Sequence, residues 1–153
     1  MLNYGLKVYG EPEIVKDCIH DVFLNLWKRR DGLRPLENVK AYLFTALRMR
    51  ILEWHRQNKA RDDRQQKYVQ EDQGSLLNIE QVIIQVEGDE ELAQRLKEAV
   101  SNLTERQREA VYLKFFSGFS NDEIADIMQV NKQSVYNTIS RALKRLEEYL
   151  MER

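Results

Sequence analysis

Apolar residues recur at intervals of three and four along almost every segment of this chain, and no segment shows a convincing alternation at two. That periodicity is the signature of amphipathic helices, because a helix turns about 100° per residue whereas a strand turns its side chains over at every step. It restricts the chain to an all-α fold. Punctuation supports the same conclusion. Residues 2–9 read as the tail of a helix ending at Gly10, and Pro12 suits the first turn of the next. That helix, about 13–30, places Ile14, Cys18, Val22 or Phe23, and Leu26 or Trp27 on its inward stripe. "DGLRPLEN" breaks the pattern. Asn38 can then cap a long helix with Val39, Leu43, Ala46 or Leu47, Met49 or Arg50, and Trp54 facing inward.

Residues 65–76, "QQKYVQEDQGSL", lose this periodicity and read as linker. Beyond them a short apolar helix is expected, then a turn at Gly88 and an acidic helix over about 89–101. Thr104 with Gln107, and Ser120 with Glu123, are capping-box signatures for two further helices, the first reaching Phe116. Gly118 suits the tight connection between them, and Asn131 caps the last helix. The expected organisation is two small helical domains, 1–64 and 89–153, joined by a linker over 65–88 that carries a possible short helix.

Charge matters here through its distribution. The chain is close to neutral, at −1, but residues 28–64 hold eleven bases against five acids, a local +6. Residues 69–109 hold ten acids against four bases, a local −6. Local sign decides where a polyanion can lie. No apolar run reaches the roughly 18 residues of a membrane span, and the start "MLNYGLKVYGEPE" lacks the basic and apolar zones of a secretory signal. A cytoplasmic protein without membrane insertion is expected. The single cysteine fits a reducing compartment.

The segment "SNDEIADIMQVNKQSVYNTISRALKRL" carries the most functional information. Its second helix puts Val135, Ile139, Ala142, Leu143 and Leu146 on one stripe and Gln133, Asn137, Ser140, Arg141 and Lys144 on the other. An ordinary solvated face would be mostly Glu and Lys, which suit helices and pair at four-residue spacing. This face is free of acid until Glu147. Together with small Ala125 and a turn containing Val130, it describes a helix-turn-helix, whose second helix enters the major groove. Amide side chains there can pair with adenine, Ser with several bases, and Arg or Lys with guanine or phosphate.

"LTERQREAVYLKFFSGFSNDEIADIMQVNKQSVYNTISRALKRLEEYL", 103–150, resembles region 4 of bacterial sigma factors of the extracytoplasmic-function (ECF) type, within the sigma-70 family. "VKDCIHDVFLNLWKRR", 15–30, resembles region 2.2, and "NVKAYLFTALRMRILEWHRQ" resembles regions 2.3 and 2.4. The resemblance implies a subunit that directs RNA polymerase core enzyme to promoter DNA. In this family region 2 reads and melts the minus-10 element and region 4 reads the minus-35 element. Lys132, Gln133, Ser134, Tyr136, Asn137, Ser140, Arg141 and Lys144 would then meet the minus-35 duplex. Lys40, Tyr42, Arg48, Arg50, Trp54 and Arg56 would hold the opened minus-10 strand, and "DGLRPLEN" sits where the family captures a flipped base. Asp17, His20, Asp21, Leu24 and Trp27 would dock on polymerase, with a core position equally open for Trp27.

This chain departs from the family's pattern in three places. Met49 stands where Asn is frequent, so any polar role there is lost or passes to Arg50. Tyr136 stands where a base is frequent, which removes a phosphate contact. The start of the chain resembles the end of region 2's second helix, so the first part of region 2 is expected to be missing. The family commonly uses an anti-sigma protein. A free-standing helix-turn-helix regulator acting as a dimer is the alternative reading.

No Gly-rich phosphate loop and no metal-spaced His/Cys cluster is present in the sequence. Cys18 and His20, two apart on a helix, read as a core thiol and a surface imidazole, His55 has no evident partner, and Asp62–Asp63 and Glu90–Glu91 read as solvated surface. No enzyme, cofactor or metal site is expected.

Overall fold

Gly10 adopts φ 77°, and its N–H caps helix α1 (Leu2–Tyr9) by donating to the Leu6 carbonyl at 3.0 Å. This left-handed position carries no Cβ penalty in glycine. Pro12 opens α2 (Pro12–Lys28) as the sequence suggests. The computed structural model describes residues 1–32, 35–62 and 90–151. The chain divides into two compact units, Met1–Ser75 and Leu76–Arg153. The linker expected at 65–88, its short helix and the turn at Gly88 lie outside the described residues, as do Leu33 and Arg34 of the "DGLRPLEN" loop.

In the first unit α1 and α3 (Val39–Asp62) both pack on α2. At Gly5 α1 approaches α2 closely, since a Cβ there would run into the Val15 side chain. Asn38 caps α3 by accepting from the Ala41 N–H at 2.9 Å. The core is Tyr4, Val15, Cys18, Val22, Phe44, Leu47 and Ile51, with the Tyr4 and Phe44 rings 5.0 Å apart.

The expected stripe on α2 holds at Cys18 and Val22, buried, and Leu26, half-buried, while that on α3 is shifted. On α2 it is Val15 that is fully buried, with Ile14 beside it only half-buried, while Phe23 and Trp27 point outward. On α3 the buried series is Phe44, Leu47 and Ile51, whereas Val39 and Met49 are exposed. The reason is that α3 has apolar residues around its whole circumference, so its own sequence leaves the phase of burial open. Packing against α2 chooses it.

In the second unit α4 (Glu90–Ser101) precedes α5 (Glu105–Val111), α6 (Asn121–Met128) and α7 (Lys132–Met151). Both capping boxes form, Thr104 with Gln107 and Ser120 with Glu123. The helix expected to reach Phe116 does so through a π-helical turn, Tyr112–Phe116, in which the Ser117 N–H reaches the Tyr112 carbonyl at 3.0 Å. Gly118, at φ 72°, makes the connection to α6. Gln129, at φ 55°, ends α6 in a left-handed cap, with the Val130 N–H on the Ala125 carbonyl at 2.9 Å.

Leu113, Ile124, Ile127, Val135 and Ala142 are completely or almost completely buried. Leu146 packs on Leu103, Val111 and Ala142, but Leu143, expected inside, is exposed. The carboxy-terminal end of α7 is tied to α4, because Arg95 Nη2 donates to the Leu150 carbonyl at 2.6 Å and Tyr149 Oη donates to Glu98 Oε2 at 2.9 Å. Among the described residues there is no strand, and no helix is long and apolar enough to cross a membrane.

Candidate nucleic-acid interface

The second helix of the helix-turn-helix is α7, and Asn131 sets its start by accepting from the Ser134 N–H at 2.7 Å. With Val135, Ile139 and Ala142 buried, the opposite stripe faces solvent. Gln133, Tyr136, Asn137, Ser140, Arg141 and Lys144 are all exposed. Ser134 is half-buried, its carbonyl accepting from Thr138 Oγ1 at 2.7 Å. Lys132 is exposed but bridges to Asp122 Oδ2 of α6 at 2.8 Å. Gln133 Nε2 donates to Asn137 Oδ1 at 3.1 Å, and Lys144 lies 3.7 Å from Glu148. The first two turns of α7 present amides, hydroxyls and cations and no carboxylate, so a polyanion can approach without like-charge repulsion.

The first unit distributes its expected groups unevenly. Asp17 and His20 are exposed on α2 beside Phe23, Leu24 and Trp27, which are 50%, 40% and 68% exposed. The core alternative for Trp27 is thus ruled out. Its ring carries the Arg30 guanidinium, 4.8 Å from the centroid. Phe23, not singled out from sequence, belongs to this face.

Asp21 turns away from that face. Its Oδ2 accepts from Arg50 Nε at 2.8 Å and Nη2 at 2.6 Å. One residue expected to dock polymerase and one expected to hold DNA therefore hold each other, joining α2 to α3. The hydrogen bond to Asp21 raises the already high pKa of Arg50. Lys40 and Tyr42 are exposed, while Arg48 and Trp54 are half-buried. Trp54 packs edge-on to His55, which also lies 6.3 Å from the Tyr9 ring, so His55 does have neighbours. Arg56 bonds Glu53, whose carboxyl is held below its ordinary range by that bond and by Gln57.

Between α2 and α3 lies a cleft of about 490 Å³. Its floor includes Val22 and Leu26, and the exposed Met49, Asn25, Arg29 and Tyr42 line its rim. Asn25 and Arg29 were missed from sequence. The signal was their four-residue spacing from each other and from Asp21, which places all three along one side of α2. Cys18 is buried, and burial pushes its thiol pKa up, while His20 is exposed. Among the described residues no group of three or more His, Cys, Asp or Glu is arranged to hold a metal ion.

An acid-poor helix-turn-helix face in one unit and a basic helical unit with a cleft of apolar floor and polar rim describe a DNA-binding protein of two helical domains. Comparisons with known proteins give the family. The sigma-70 region 2 model matches residues 1–61 and the sigma-70 region 4 model matches residues 93–146. The chain belongs to the sigma-70 family of RNA polymerase sigma factors, as a member of the ECF type. The ECF RNA polymerase sigma factor SigK of Mycolicibacterium vanbaalenii is 24% identical over 152 residues, covering 96% of this chain and 75% of that protein. The sigma factor RpoE of Bartonella quintana, solved in complex with the anti-sigma factor NepR, superposes with a TM-score of 0.67 at 25% identity, over 98% of this chain and 89% of that one. UPF0122 protein BH2485 of Halalkalibacterium halodurans is 45% identical over 49 residues, 32% of this chain and 45% of that one. Sigma factors are regulators of transcription.

Proposed function

We propose that this sigma factor, working in the cytoplasm, directs RNA polymerase core enzyme to a defined set of promoters, with the first unit opening and reading the minus-10 element and the second reading the minus-35 element. The domains are taken as 1–64 and 89–153, with 65–88 as linker. The observation that carries the reading is the outward stripe of α7, where Gln133, Asn137, Ser140 and Arg141 are exposed without an intervening acid. Such groups match the hydrogen-bonding edges of a major groove. Lys132 and Lys144 serve the flanking phosphates, and Ser134 and Tyr136 the edge of the contact.

In the first unit, Lys40, Tyr42, Arg48, Trp54 and Arg56 attract and stack the opened strand. The α2–α3 cleft, with Tyr42, Asn25 and Arg29 at its rim, offers an unpaired base an apolar floor and polar partners. Arg50 supports this cleft through its bond to Asp21. Polymerase docks on the exposed side of α2, at Asp17, His20, Leu24 and Trp27. An anti-sigma protein, like the one bound to the Bartonella relative, is a further proposed partner.

Run-off transcription with core polymerase tests the reading. The chain is expected to co-purify with core enzyme and to start transcripts at promoters whose minus-35 and minus-10 elements both matter. Lys144→Ala is expected to weaken all minus-35 sequences alike and reduce the salt slope by about one phosphate. Binding to promoter duplex as a dimer, without polymerase and without transcript initiation, would instead establish the free-standing regulator.

A further inference from the structure

Two side chains of the α7 stripe bond to each other. Gln133 Nε2 donates to Asn137 Oδ1 at 3.1 Å, across one helical turn. This bond gives the pair a direction. It uses one N–H of Gln133 and one lone pair of Asn137, so the outward ends are the Gln133 carbonyl, with both its lone pairs, and the Asn137 amide, with both its N–H groups. The cations at the two ends of the stripe are also engaged, Lys132 with Asp122 at 2.8 Å and Lys144 with Glu148 at 3.7 Å. The amide pair is thus the central polar group of the face.

An unconstrained Gln or Asn chelates adenine, accepting from N6 and donating to N7 with its own two ends. In the bonded pair one end of each amide is turned toward its neighbour and has half its capacity engaged. What the pair offers is an acceptor and a donor carried on residues about 6 Å apart along the helix axis, a span wider than the two ends of one amide and wide enough to reach neighbouring base pairs, stacked about 3.4 Å apart.

We propose that Gln133 and Asn137 read DNA as one unit. The Gln133 carbonyl accepts from the exocyclic amino group of adenine or cytosine. The Asn137 amide donates to an acceptor of the adjacent pair, N7 or O6 of guanine, N7 of adenine or O4 of thymine. The face then selects a two-base-pair step instead of two independent adenines. This rests on the assignment of α7 to the minus-35 element, and the experiment separates the two.

The full chain with core polymerase is assayed by run-off transcription on templates randomised over the minus-35 element. Gln133→Ala and Asn137→Ala are each expected to lower discrimination roughly tenfold at both base pairs of the step, and the double variant to lose no more than the worse single one, as coupled residues do. Asn137→Asp keeps an oxygen for Gln133 but turns the free donor into an acceptor, so preference at the second pair is expected to move toward cytosine. Losses that multiply, each confined to its own base pair, would overturn the coupling and leave base reading intact. Unchanged base preference in both single variants would overturn base reading and the coupling together. A measurement without DNA completes the test. In the free full chain, Asn137→Ala is expected to shift the Gln133 side-chain amide resonances and speed their hydrogen exchange, and unaltered resonances would sink the proposal.

Discussion

The outward faces of α2 and α7 are both exposed, yet they are made of opposite materials. On α2, Phe23, Leu24 and Trp27 meet water beside Asp17 and His20. On α7 the exposed groups of this face are amides, a hydroxyl and cations, with Tyr136 the one aromatic among them. An exposed aromatic gains by leaving water against another apolar surface, at about 25 cal/mol per Å² buried, and needs no particular partner atom. An amide gains little from burial alone and must meet matched donors and acceptors. The difference suits the proposed roles, a protein-docking surface for α2 and a base-reading surface for α7, within one chain.

The strongest way to break this contrast is to remove the aromatics. Phe23→Ala with Trp27→Ala is expected to weaken co-purification with core polymerase by at least about 2 kcal/mol, roughly thirtyfold, as for anchor residues of an interface. Thermal unfolding should stay near that of the parent chain, because both side chains are exposed. Undiminished co-purification would remove α2 from the docking surface.

A smaller effect is expected at the start of α7. Asn131→Ala deletes the cap on the Ser134 N–H and should cost about 1 kcal/mol of stability, measured by denaturant unfolding. Minus-35 selection should weaken with it, while polymerase docking through α2 holds.

Asp21→Asn sharpens the comparison inside the first unit. Asp21 and Arg50 are each about one-third exposed, at 36% and 35%, so solvent screens the pair and its loss should cost roughly 0.5–1 kcal/mol. A loss of polymerase binding without loss of stability would return Asp21 to the docking face.

The smallest effect concerns pH. Glu53 has a carboxyl pKa depressed below 4.5 by Arg56 and then Gln57. A depressed acid contributes stability that is present above its unfolded value and lost as pH falls through the folded one. Glu53→Gln should therefore lower stability slightly at neutral pH, leave it nearly unchanged in strong acid, where the carboxyl is protonated anyway, and so flatten the acid limb of the unfolding profile.

Much of the second unit was legible because its signals are local. A capping box is complete within four residues, and the stripe of Val135, Ile139 and Ala142 has one phase because polar residues occupy the other side. The π-helical turn at Tyr112–Phe116 was not legible, since it depends on how Leu113 and Phe119 reach the core. The first unit was less readable. Its α3 is apolar on several sides, and where Ala46 or Leu47 and then Met49 or Arg50 were expected inside, packing on α2 selected Leu47 and Ile51.

The sequence by itself determined the all-helical fold, the capped starts of α3, α5, α6 and α7, and the acid-poor stripe from Gln133 to Lys144, because hydrophobic period and capping act over a turn or two of chain. Only the tertiary structure decided that Asp21 belongs to Arg50, 29 positions away, that Trp27 is outside, and that Asn25 and Arg29 share a cleft with Tyr42. Those are pairings between helices. They follow from which faces exclude water together, a choice that no single helix makes alone.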